Sequence, residues 1–269
     1  MNAEYFHALY QELIEENPFA VRAVLKVLRV EFTETVSTLA VTCESRPRLL
    51  VNLAFLKKHC RTDQHIKAVI CHEFLHVLLR HTERIAALSP AEHVALDAVI
   101  NAIIHRELGD DYSEFMSRYY AKEKSVHRLL RPPTEREQTQ LIDAWPPPKD
   151  PVLDVWRPLY KGYLIADDIA ELAKDILGAS AASLRGTVLI GGHDHPEFAG
   201  ELPEVLEEAL NRTLKSMNGS GIWRSPSPRR HVKRRLRRGA SGKRWGIVMV
   251  VLFTVGFPSH GVDRSSTPS

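Results

Sequence analysis

A chain of 269 residues that is 44% hydrophobic and 26% charged has the length of one large domain or two small ones, and its composition excludes fibrous and wholly disordered classes. The formal charge of +3 hides a division: residues 224 to 244 hold ten Lys or Arg and no acid, and removing those ten charges leaves −7 on the rest. Three cysteines (Cys43, Cys60, Cys71) without a C-x-x-C pair exclude an even disulfide framework and a cysteine zinc site, and favour a reducing, cytoplasmic setting.

The N-terminal stretch, residues 3 to 16, is acidic and amphipathic. It reads as a helix stopped by Asn17-Pro18 and not as a signal peptide. Apolar spacing predicts a second helix from Phe19 to Val30. Residues 38–43 (TLAVTC) and 48–52 (RLLVN) read as strands joined by a turn. A strand placed just before a buried helix can line a cleft and pair with the backbone of an incoming chain, and RLLVN is the candidate here. A short helix over 53–60 follows, and then a long one from Gln64 to about His81, with Asp63 as its cap.

That long helix carries His72-Glu73-Phe74-Leu75-His76, an H-E-x-x-H motif. Two histidines four residues apart sit about 40° apart around a helix, one turn up, so both imidazoles reach one metal ion. Glu73 then lies beside the metal, where a carboxylate takes a proton from bound water. The surrounding residues (Ala68, Val69, Ile70, Phe74, Leu75, Val77, Leu78, Leu79) are apolar almost all round, which predicts a buried helix. Buried histidines and a glutamate need compensation, and zinc is the simplest.

A catalytic zinc takes three protein ligands and keeps one open position. Ser89-Pro90-Ala91-Glu92 is a capping box that opens a helix running to Leu108 and stopped by Gly109. Asp97 falls in its apolar stripe and is the first candidate for the third ligand. His81 is the alternative, although at nine residues from His72 it faces about 180° away unless the helix breaks first. His93 is a lesser option. His65 lies about 10 Å along the axis, too far for the same ion. Asn101, one turn after Asp97, is expected to orient a ligand or cap a buried group.

Tyr112 to Arg131 reads as partly helical, and 132–151 as a loop and mobile connection containing Trp145-Pro-Pro-Pro. Helices are expected over 164–177 and 203–217, with a strand at 187–190. The Gly191-Gly192-His193-Asp194-His195 run after it makes His193 and His195 candidate substrate contacts or an auxiliary metal site. Arg131 and Tyr160 are further candidates to polarise a substrate carbonyl. The basic run RRHVKRRLRR reads as a solvated linker: it lacks interleaved aromatics, which argues against nucleic acid as the partner. The apolar run 247–257 is too short for a membrane span and suits a buried strand.

HEFLHVLLRH followed by ALDAVINAII resembles a family of bacterial metallopeptidase-like proteins, in which an N-terminal zinc-peptidase-like domain precedes a von Willebrand factor A-like domain. Its pattern, H-E-x-x-H-x-x-x-x-H and then A-x-D-x-x-x-N, falls on His72, Glu73, His76, His81, Ala95, Asp97 and Asn101. RLLVN, RLLRP at 128–132 and VLIGGH at 188–193 agree with it. The resemblance implies metal-dependent peptidase chemistry and partnership with a MoxR-type AAA ATPase. The chain departs from it at the C-terminus, where GKRWGIVMVVLFTVGF would be the first strand of a domain that the sequence is too short to complete. Asp263, Ser265 and Thr267 keep a D-x-S-x-T spacing there, and no metal site is assigned to them.

The expectation is therefore an α+β, mostly helical, zincin-like metallopeptidase domain with a small sheet over 1–218. A basic linker over 219–245 and a truncated remnant or start of a von Willebrand A-like domain over 246–269 complete it. The expected function is zinc-dependent hydrolysis of peptide or protein substrates with Glu73 as general base. The alternative is a non-catalytic metal-containing adaptor for an ATPase.

Overall fold

The computed structural model describes residues 1–16, 28–79, 81, 89–143, 151–164, 189–191, 203–209 and 211. These residues form a mostly helical α+β arrangement around a three-stranded mixed sheet. The expected strands are present as β2 (Leu39–Val41) and β3 (Arg48–Val51), antiparallel, with Leu39 opposite Val51 and Val41 opposite Leu49. β1 (Arg29–Phe32) runs parallel to β3, so the strand order is β1-β3-β2. The sequence expectation of helix through Val30 is thus corrected at its end. Apolar spacing over 19–28 had been extended into RVEF, whose branched and aromatic side chains suit a pleated surface. Residues 17–27 lie outside the described set.

The order of strands also corrects the expected role of RLLVN. β3 is the central strand, and its backbone groups are taken by β1 and β2, so it has no edge to offer an incoming peptide. Asn52 turns the chain out of the sheet. Its Oδ1 accepts from Phe55 N at 3.0 Å, capping α2 (Leu53–His59), while its Nδ2 donates to Val36 O at 2.8 Å.

α1 (Ala3–Glu16) buries Phe6, Leu9, Tyr10, Leu13 and Ile14, a run at helical spacing, and sets Phe6 edge-on to Phe32 of β1 at 5.7 Å. α3 (Asp63–Leu78) is the central helix. Every residue from His65 to Leu78 is buried, because β2, α1 and two later helices pack around it. Its cap is Thr62, one residue before the expected Asp63. Thr62 Oγ1 accepts from His65 N, which leaves the Asp63 carboxylate for the Tyr5 hydroxyl at 2.5 Å. Burying Ile70, Phe74 and Leu75 contributes about 1.5–3 kcal/mol each, which offsets part of the cost of the polar groups that share the helix.

α4 (Pro90–Leu108) starts at the expected capping box, with Ser89 N donating to Glu92 Oε2 at 2.8 Å. It ends at Gly109, whose φ of 90° allows the chain to turn at once into α5 (Asp110–Tyr119). A 3₁₀ segment follows (Ser125–Leu130), then α6 (Glu135–Asp143) and α7 (Pro151–Tyr160). The expectation of a loop through 132–151 is corrected by α6, whose Thr134 and Glu137 form a side-chain cap that the nearby prolines obscured. None of the three cysteines forms a disulfide. No helix among the described residues is long and apolar enough to cross a membrane. The expected helix over 164–177 lies almost wholly outside the described residues, and of the one over 203–217 residues 204–209 are seen as helix. His193, His195, Trp145, the basic run and the tail from 246 also lie outside them.

Candidate metal centre

α3 and α4 pack side by side, and the polar residues in their apolar faces meet. His72 Nε2 and His76 Nε2 lie 3.1 Å apart. Asp97 Oδ1 of α4 lies 3.2 Å from His76 Nε2 and 3.8 Å from His72 Nε2. All are buried, with relative exposures of 0% for His72 and Asp97, 3% for His76 and 4% for the adjacent Glu73. Among the described residues, His72, His76 and Asp97 form a three-ligand group. Glu73 precedes His76 by three residues on α3, so the two share one side of the helix.

The donor set fits a metal ion. Ligand atoms bound at 2.0–2.1 Å to a tetrahedral zinc lie about 3.3 Å from one another, which the three separations straddle. Two imidazole nitrogens facing each other at 3.1 Å, with a carboxylate oxygen beside them, repel unless a proton or a cation lies between. Imidazole and carboxylate donors suit zinc and several other divalent ions.

The far side of each imidazole is also engaged. Asn101 Nδ2 donates to Leu130 O at 2.9 Å, so its Oδ1 faces His72 Nδ1, also at 2.9 Å, and accepts the proton there. That selects the His72 tautomer whose Nε2 lone pair points to the centre. His76 Nδ1 lies 3.2 Å from His81 Nδ1. A metal held by His76 Nε2 would leave the proton on its Nδ1, where His81 Nδ1 would accept it. His81 reaches this position because α3 ends at Leu78, with Leu79 as its cap, before the helix could carry His81 to the opposite face. It touches the nitrogen of His76 that points away from Asp97, and so stands outside the three-ligand group. His93 is half-buried one turn before Asp97, also outside that group.

His65 sits apart, as its position along the helix implied, with Nδ1 accepting from Arg61 N and Nε2 3.4 Å from Glu114. Arg131 and Tyr160 are not placed to polarise a substrate. Arg131 is held by Glu137 at 2.7 and 2.9 Å, and the Tyr160 hydroxyl donates to Leu129 O. One residue without a sequence signal of its own borders the site. Tyr120, the residue that closes α5, is buried, and that burial together with the Asp97 charge pushes its hydroxyl well above the ordinary range. The same hydroxyl accepts from Ile190 N at 3.1 Å, and Thr38 Oγ1 accepts from Gly191 N at 2.9 Å. These bonds seat the start of the Gly-Gly-His run in the core, and only the fold could have disclosed them.

No family model, curated protein or solved structure matches the chain.

Proposed function

We propose that the chain is a zinc-dependent hydrolase of the metallopeptidase type on a zincin-like domain, with His72, His76 and Asp97 holding the ion and Glu73 as general base. The observation that carries this reading is the buried convergence of two imidazole nitrogens and a carboxylate oxygen at 3.1 to 3.8 Å, on the helix that also carries Glu73. Bound there, zinc would supply Lewis-acid polarisation of a peptide carbonyl and a lowered pKa for its water. Asn101 and His81 hold the two imidazoles with Nε2 open to the centre. Asp97 brings the negative charge that a divalent ion needs in a buried site. Glu73 accepts and returns a proton, and the apolar wall of α3 excludes bulk water. Peptides or proteins are the proposed substrates, and a MoxR-type ATPase the proposed partner, on the strength of the paired H-E-x-x-H and A-x-D-x-x-x-N motifs.

The near-complete burial of all four residues favours a second reading, in which a closed metal site supports a non-catalytic adaptor for such an ATPase. A catalytic zinc needs an open position, and a structural one does not need Glu73. Cleavage of a broad peptide library by wild type, lost in Glu73→Gln at unchanged metal content, supports the enzyme. A Glu73→Gln protein that matches wild type in every assay with the ATPase supports the adaptor.

A further inference from the structure

Where the 3₁₀ segment gives way to extended chain, the backbone carbonyls of Leu129, Leu130 and Arg131 each accept from a different buried side chain. The Tyr160 hydroxyl donates to Leu129 O at 3.1 Å, Asn101 Nδ2 to Leu130 O at 2.9 Å and Trp156 Nε1 to Arg131 O at 2.7 Å. The outer two donors come from one helix, α7, and the middle one from α4. The side chains of the strap are held as well. Arg131 is gripped by both oxygens of Glu137, and the Arg128 and Arg131 guanidinium carbons lie 4.6 and 4.9 Å from the centre of the Trp156 ring.

We propose that α7, through Trp156 and Tyr160, is a positioning element of the metal site that acts on His72 by way of Leu130 O and Asn101. The reason lies in the two-faced chemistry of the Asn101 amide. While Leu130 O stays in place, Nδ2 must face it, and Oδ1 is left as acceptor for His72 Nδ1. If Leu130 O is released, the amide loses the acceptor that holds its Nδ2 end, and only the His72 contact opposes a flip. A flipped amide sets Nδ2 against His72 Nδ1, donor against donor. The imidazole then relieves the clash by moving its proton to Nε2, the atom that faces His76 and Asp97. One carbonyl position thus selects between an open and a blocked ligand atom. Trp156 and Tyr160 touch none of the candidate ligands, yet they fix the carbonyls on either side of the one that decides.

The functional meaning of this device rests on the metal reading above, whereas the tautomer selection itself does not. The test therefore has two arms, both on the full chain. In the first, ¹⁵N-histidine NMR of metal-free protein assigns the His72 tautomer and the solvent exchange of its Nδ1 proton. Wild type is expected to show a protonated Nδ1. Trp156→Phe and Tyr160→Phe, which remove only the donors and keep a ring, are expected to speed exchange about tenfold or more. In the second, cobalt(II) and zinc titrations are expected to show affinity weakened roughly 10- to 30-fold by Trp156→Phe, at the lower end of the losses seen when the groups that orient a ligand are removed. In an Asn101→Ala background the same substitution is expected to change affinity by less than about twofold.

If the melting temperature falls while exchange and affinity stay at wild-type values, α7 is merely structural and the proposal is overturned. Equal weakening in the Asn101→Ala background also overturns it, since the effect then does not travel through Asn101. Should Trp156→Phe not fold, Tyr160→Phe decides by the same criteria. A wild type that binds no metal ends the metal reading and leaves the exchange arm to decide this one.

Discussion

Asp97→Asn separates a metal ligand from a packing residue, because it keeps the volume and one oxygen of a fully buried side chain and removes its charge. Structural zinc sites contribute about 10–16 kcal/mol over four ligands, or roughly 2.5–4 kcal/mol per ligand. Asp97 Oδ1 is one of only three protein ligand atoms in this group, so its loss is expected to weaken zinc binding by about 10²- to 10³-fold. By linkage the same roughly 2.5–4 kcal/mol is withdrawn from the stability of the metal-loaded protein. At about 2–4 °C per kcal/mol, the loaded variant should melt roughly 5 to 16 °C below loaded wild type. In excess chelator this difference should vanish or change sign, since a buried carboxylate is costly without a cation. Scanning calorimetry with zinc and with chelator, beside competition titrations of zinc affinity, measures both quantities. An equal drop in melting temperature under the two conditions would refute the ligand assignment and leave Asp97 as a packing residue.

Glu73→Gln should retain the metal and the fold, while any peptidase activity falls by at least the 10² to 10⁴ typical of general-base catalysis, as read from initial rates on a cleaved library peptide. Activity that survives would remove Glu73 from the chemistry. The Glu137 carboxylate is held down to about 2, chiefly by Arg131, from an ordinary value of 4.5. The folded state therefore stays unprotonated where the unfolded chain takes up a proton, and the stability this gives is complete above about pH 4.5 and lost as pH falls toward 2. Urea midpoints across that window should fall more steeply for wild type than for Glu137→Gln, and parallel curves would count against it. Gly162 has φ +75°, a left-handed backbone that alanine adopts only with strain, so Gly162→Ala should cost about 1–2 kcal/mol in denaturant unfolding, with the Arg106 guanidinium, the end of a flexible side chain, displaced by the new Cβ. A neutral result would show that the turn after α7 relaxes freely.

The parts of this fold that the sequence discloses are those decided locally. Ser89 and Glu92 lie three residues apart, and the cap they form needs nothing beyond that spacing. His72, His76 and the apolar residues around them declare a buried helix by periodicity, and Asp97 declares itself as a charge within an apolar stripe. β1 was not legible because its pairing partner is Arg48–Val51, and a helix-like spacing upstream ran into it. Without β1, β3 would be an edge strand, the role expected of RLLVN; pairing with β1 makes it the central one. His81 depended on where α3 stops, a matter of Leu79 adopting the last helical turn and not of helix geometry. The strap at 129–131 is invisible in sequence for a different reason. Its three donors, at 101, 156 and 160, come from two separate helices, and backbone carbonyls carry no signature in the amino-acid code.

The central claim is that His72 and His76 hold a metal ion with Asp97. Elemental analysis of purified full-length protein, loaded with zinc and freed of excess metal, tests it most directly beside the His72→Ala, His76→Ala double variant. The account predicts about one zinc per wild-type chain and no stoichiometric metal in the double variant, whose helix α3 should remain intact by circular dichroism. Wild type without bound metal, or a double variant that keeps its zinc, would contradict it.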